Sequence, residues 1–91
     1  MSGPVERIAR ALHAGELEVT HLAEGSGVVL HVPTLRSRTL NPAGMFLLAA
    51  LAAGAESESD LADDLIMRYD VDRATGTRDA EAFLAALTAL L

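Results

Sequence analysis

Three histidines, thirteen carboxylates, seven arginines and one Gly-Ser-Gly turn are the residues of this 91-residue chain whose types could do chemistry. His13, His21 and His31 are eight and ten residues apart, so no two form the i, i+4 pair that sets imidazoles around zinc on one helix face. Gly25-Ser26-Gly27 lacks the lysine of a phosphate cradle and leads into a strand pattern. Ser26 has neither a nucleophile elbow nor a base beside it. Residues 56–72 hold seven carboxylates and one arginine. General acid–base work needs carboxylates in a cleft that moves their pKa values, whereas a run this dense is a solvated helix face. Its spacing is not that of a calcium loop either, which alternates oxygen ligands about a central glycine. With no catalytic set, no metal site and no cofactor motif, a non-catalytic binding protein is expected.

Composition narrows the partners. Seven arginines and no lysine against thirteen acidic residues leave a net charge of −6, which argues against sequence-independent nucleic-acid binding and against an anionic membrane surface. The longest apolar run, Met45 to Ala53, is nine residues, and a membrane span needs about 20. Glu6, Arg7 and Arg10 interrupt any signal-peptide pattern. The absence of cysteine rules out disulfides and thiolate chemistry and suits a reducing cytoplasm, the expected location. Seventeen alanines and fifteen leucines indicate a largely helical globular chain of one small domain.

The elements that would position any site follow from periodicity. Val5, Ile8, Ala9 and Leu12 recur at helical spacing between Pro4 and Gly15, which predicts a short amphipathic helix over residues 1–15, either covering a sheet or standing as an arm. Leu17, Val19 and His21 alternate with polar residues as in a strand, Glu24 to Gly27 is a turn, and Val28 to Val32 is a second strand. Arg36 to Leu40 supplies a third, shorter strand, so the sheet is two- or three-stranded. Asn41-Pro42 then reads as an N-cap followed by a first helical residue, and Gly54 as the end of a nearly all-apolar helix. A second helix starts near Ser57 or Ser59 and buries Leu61, Leu65, Ile66 and Tyr69, with Asp60, Asp63, Asp64 and Arg68 in water. A third starts after Asp72 and buries Ala80, Phe83, Leu84, Leu87 and Leu90, although Gly76 weakens its first turns. The expected fold class is α+β: a small winged-helix-like domain over 16–91, an antiparallel sheet followed by three helices, with the extra N-terminal helix before it. Winged helices often bind DNA, but the helices here offer aspartate and glutamate where base edges call for arginine, lysine, asparagine or glutamine.

The segment order resembles one family. Val28-Val29-Leu30, a turn, a strand ending Leu40-Asn41-Pro42-Ala43-Gly44, an Ala/Leu-rich helix, an acidic helix ending Arg68-Tyr69-Asp70-Val71-Asp72, and Asp79-Ala80-Glu81-Ala82-Phe83-Leu84 are together similar to the PqqD-like family over roughly Leu17 to Leu90. The Tyr-Asp-Val-Asp stretch looks closest to the stand-alone leader-binding proteins of lasso-peptide pathways. The resemblance implies a recognition element for a ribosomally made precursor peptide. Its leader would add a strand to the third strand, lie against the last helix, and be delivered to a modifying enzyme, a radical S-adenosylmethionine enzyme or a leader peptidase. Carried onto this chain, the peptide-binding residues are Arg36, Ser37, Arg38 and Thr39 on the strand and Arg78, Asp79, Ala82, Phe83, Ala86 and Leu87 on the helix. Arg36 and Arg38 would pair with acidic leader residues, and Ala82 and Ala86 would leave room for an apolar anchor. Proline at position 38 should then remove an edge hydrogen bond. Leu35 stands where the family has a turn glycine, and Ser37-Arg38 where it has a strand aromatic. The other functions considered are a non-leader interaction adaptor, homodimeric through the first helix, and a divergent winged-helix regulator.

Overall fold

Local chemistry places the element boundaries. Asn41 accepts the Gly44 N–H at 2.8 Å, Ser57 that of Asp60 at 3.1 Å and Asp72 that of Thr75 at 2.8 Å, so three helices begin on a side-chain cap that satisfies an otherwise unpaired donor. The structure, a computed structural model, describes residues 3–91. It runs α1 (Pro4–His13), β1 (Leu17–His21), β2 (Gly27–His31), β3 (Arg36–Leu40), α2 (Pro42–Ala52), α3 (Glu58–Tyr69) and α4 (Arg73–Thr88), with a short 3-10 turn at Ala23–Gly25. The strands form an antiparallel meander in the order β1-β2-β3, pairing Val19 with Val29 and Val29 with Arg38. This is the winged-helix-like α+β arrangement expected, with three strands rather than two.

The helices pack on one face of the sheet. Leu17, Val29 and Leu40 point into them and are buried, while Glu18, Thr20, Ser37 and Thr39 point the other way and are exposed. α2 is apolar on nearly every side and buries Met45, Leu47, Leu48 and Leu51 in the middle of the core. α1 buries Val5, Ile8 and Ala11 against α2 and α4, so its apolar face closes one side of that core. Ala11 takes the buried place that periodicity suggested for Ala9. Each fully buried leucine or isoleucine here contributes about 1.5–3 kcal/mol relative to exposure. Among the described residues no helix is long and apolar enough to cross a membrane.

Two readings change in three dimensions. Tyr69 is 39% exposed rather than buried. It sits in the last turn of α3, its ring edge-on to Phe46 at 5.8 Å and under the Arg68 guanidinium at 5.2 Å, where it covers Phe46 from outside. Gly76 marks a close approach rather than a weak start. A Cβ there would lie 3.1 Å from Ile66 Cγ1 and 3.2 Å from the Ala62 carbonyl, so its absence lets α4 lie tightly along α3.

Candidate functional site

β3 is an edge strand, and the hydrogen bonds on the far side of β2 determine which of its backbone groups are open. Val32 N–H donates to the Glu16 carbonyl and Leu22 N–H to the Ser26 carbonyl, both at 2.9 Å. These bonds extend the β1–β2 register, so Val28 and Leu30 direct their N–H and C=O groups to β1. Gly27, Val29 and His31 therefore bond to β3, through Leu40, Arg38 and Arg36. Ser37 and Thr39 are left with N–H and C=O groups aimed away from the sheet, a template for one more strand. The expected effect of proline at position 38 is thereby corrected. Arg38 N–H belongs to the internal ladder with Val29, and the edge donors are those of Ser37 and Thr39.

Directly opposed residues share a face, so Arg36, Arg38 and Leu40 point to the helix side together with His31, Val29 and Gly27. There, β3, the start of α2 and α4 enclose a groove of about 250 Å³, bordered by Arg38, Thr39, Leu40, Leu47, Phe83 and Asp79, with Ala82 and Ala86 on the helix wall. The volume falls below the roughly 300–1,000 Å³ of pockets for drug-sized ligands, and suits one or two side chains of an extended segment. Small residues make the room. Alanines stand at 82 and 86, and Gly44, whose Cβ would meet Leu40 Cβ at 3.2 Å, lets α2 start hard against the strand.

Of the ten residues the resemblance implied, the groove brings together Arg38, Thr39, Asp79, Ala82, Phe83 and Ala86. The other four lie elsewhere. The Arg36 guanidinium donates to the Ala89 carbonyl at 3.2 Å, at the C-terminal end of α4 and outside the groove lining. Ser37 contributes backbone at the edge while its side chain faces the open side of the sheet. Arg78 is exposed near the start of α4, where its charge helps to hold the Asp72 carboxyl below the ordinary aspartate pKa, behind the larger effect of hydrogen bonds from Thr75. Leu87 is buried in the core and, unlike the equally buried Leu47, does not border the groove. The groove also uses Leu40, Asn41, Ala43, Gly44 and Leu47, which the sequence assigns to a strand end, a helix start and an apolar helix and not to the peptide site. The nearest sequence signal is Leu40-Asn41-Pro42-Ala43-Gly44, which marks a capped helix starting directly after the strand and so sets the first residues of α2 beside Leu40.

His31 is 6% exposed and acts structurally. Thr34 Oγ1 lies 2.8 Å from His31 Nδ1 and 3.4 Å from the Leu90 carbonyl, so the hydroxyl bridges the imidazole and the end of α4. Together with the Arg36–Ala89 bond, it ties the β2–β3 turn to the end of α4 and fixes the distance between the groove walls. The Arg38 guanidinium has no ion-pair partner among the described residues.

The model of the family described as coenzyme PQQ synthesis protein D (PqqD) matches residues 26–90. Two solved structures are similar over 80% of this chain. One is TbiB1 in complex with the TbiA(beta) leader peptide, at 29% identity and a TM-score of 0.68 over 83% of that chain. The other is lasso peptide synthetase B1 complexed with the leader peptide, at 27% identity and a TM-score of 0.65 over 84% of that chain. No curated protein matches the sequence significantly.

Proposed function

Because this chain belongs to the PqqD family, we propose that its β3–α4 groove binds the leader segment of a ribosomally made precursor peptide by strand addition and that the chain delivers it to a modifying enzyme. The observation that carries this is the open edge. Two outward-facing residues, Ser37 and Thr39, run beside a groove of side-chain size. Backbone bonds to that edge supply affinity and the groove supplies selectivity. The similar structures, each described as a leader-peptide complex, support the same reading. The chain makes and breaks no bonds itself; it holds the leader while the enzyme acts on the rest of the precursor. Likeness to the lasso synthetase proteins favours a leader peptidase over a radical S-adenosylmethionine enzyme as that partner. α1 engages its apolar face within its own core, so a homodimer through this helix would have to use the side bearing Arg7 and His13.

Fluorescence anisotropy against labelled leader segments of short precursor peptides encoded beside its gene tests the proposal. Saturable binding to one leader is expected, with none to a duplex DNA control. Thr39→Pro and Ser37→Pro each remove an outward N–H without touching the ladder to β2, and each should weaken binding about tenfold, the worth of one hydrogen bond at most. Folded variants that bind as tightly as the parent would place the peptide elsewhere.

A further inference from the structure

The phase of the edge also fixes which peptide side chains enter the groove. Ser37 and Thr39 bond to the added strand, so Arg38 lies opposite a peptide residue in a non-hydrogen-bonded pair, where side chains approach most closely. That residue, and the one opposite Leu40, point to the helix side, because the pleats of neighbouring strands are aligned. The residue between them points away. The groove therefore reads positions i and i+2 of the peptide.

The two positions meet different chemistry. The Arg36–Ala89 bond pins one end of β3 to one end of α4. From that point β3 advances about 3.3 Å per residue and α4 retreats about 1.5 Å per residue. Arg38 thus lies across from the turn holding Ala82 and Ala86, and Leu40 lies nearer to Asp79. The apolar part of the lining is Leu40, Leu47 and Phe83, and this alignment sets the Asp79 carboxylate at the Leu40 end. By the same alignment the Arg38 guanidinium, which has no ion-pair partner among the described residues, faces the stretch of α4 that carries Ala82 and Ala86. Arg36, the neighbouring cation, is already engaged at the α4 terminus. An acidic side chain is attracted at the Arg38 position and repelled at the Leu40 position by Asp79. The sheet is antiparallel throughout, and an antiparallel addition passes Leu40 before Arg38.

Resting on the leader-binding reading above, we infer that this groove selects a leader segment carrying a bulky apolar residue followed two positions later by Asp or Glu, and that Arg38 is the residue that sets the acidic preference. Arg38 reads charge, and the Leu40–Leu47–Phe83 surface reads size.

Selection of displayed random twelve-residue peptides on the immobilised 91-residue chain tests this without knowledge of the natural leader. The parent should enrich apolar-x-acidic sequences. Arg38→Glu should enrich apolar-x-basic ones, and Arg38→Gln should keep the apolar residue and lose the charge preference. In anisotropy, a parent-selected peptide should lose about tenfold in affinity for Arg38→Glu and recover when its acidic residue becomes lysine. If Arg38→Glu and the parent enrich the same acidic residue, or no charge recurs at that spacing, the register is overturned. In that case, depletion of the selected peptides by Thr39→Pro would leave edge binding standing. Enrichment that Thr39→Pro does not affect, or no enrichment by the parent at all, would overturn both the register and the leader-binding reading.

Discussion

Leu35 stands in the left-handed region, at φ +58°, in the turn that joins β2 to β3. For a residue with a Cβ this conformation costs about 1–2 kcal/mol. Its N–H donates to the His31 carbonyl at 2.8 Å, so the turn is fixed by its backbone, and the side chain, 77% exposed, gains little from packing. Leu35→Gly should therefore stabilise the protein by about 0.5–1 kcal/mol once the greater freedom of an unfolded glycine is deducted. A higher urea midpoint is the expected result, and a lower one would mean that the leucine side chain holds the turn. The resemblance that put a glycine at this position carried a conformational requirement, and the structure shows it as an angle. Nothing in the leucine itself announces it. The edge phase was equally illegible, because whether Arg38 or Thr39 faces outward depends on which β2 residues bond to β1. Alternation alone cannot distinguish those two phases.

At the scale of elements, α4 is the wall on which the groove is built, and it begins on Asp72. The carboxylate accepts hydrogen bonds from the Thr75 side chain and backbone N–H, and with Arg78 nearby its pKa lies below the ordinary aspartate value. A carboxyl whose pKa is lower folded than unfolded binds protons less readily in the native state. Its contribution is complete above the unfolded value and drains away as the pH falls through the depressed one. Asp72→Ala should lower the thermal midpoint at pH 7, and the gap from the parent should narrow once the pH drops below the ordinary aspartate range. A gap that stays constant down to pH 3 would show that the ionised cap is not what α4 starts on. Caps of this kind are local, which is why Asn41 and Asp72 could be read from sequence and the start of α3 narrowed to Ser57 or Ser59. Gly76 could not be understood that way. Its reason lies in Ala62 and Ile66 of α3, and no periodicity within α4 points to them.

Across the whole molecule, α4 serves two surfaces at once. Phe83 packs in the core and borders the groove, Ala82 and Ala86 open onto the groove, and Ala85 lies on a different face, near Pro4 and Leu84. The sequence supplied the helix and its buried stripe, but the facing wall, Leu40 to Leu47, became visible only when α2 was seen to start beside the strand edge. That arrangement permits a test that separates groove from scaffold. Ala82 and Ala85 are both exposed alanines of one helix, so tryptophan at either should change stability by no more than about 0.5 kcal/mol. Ala82→Trp would fill the space a leader side chain needs, and binding should fall at least about tenfold, since an extended strand held off the edge loses backbone bonds together with its pocket. Ala85→Trp adds the same bulk away from the groove and should leave the affinity unchanged. Anisotropy on the two variants, with matched thermal midpoints, decides the matter. Equal losses would mean that the peptide wraps around α4, and loss only at position 85 would move the site to the side of α4 shared with α1.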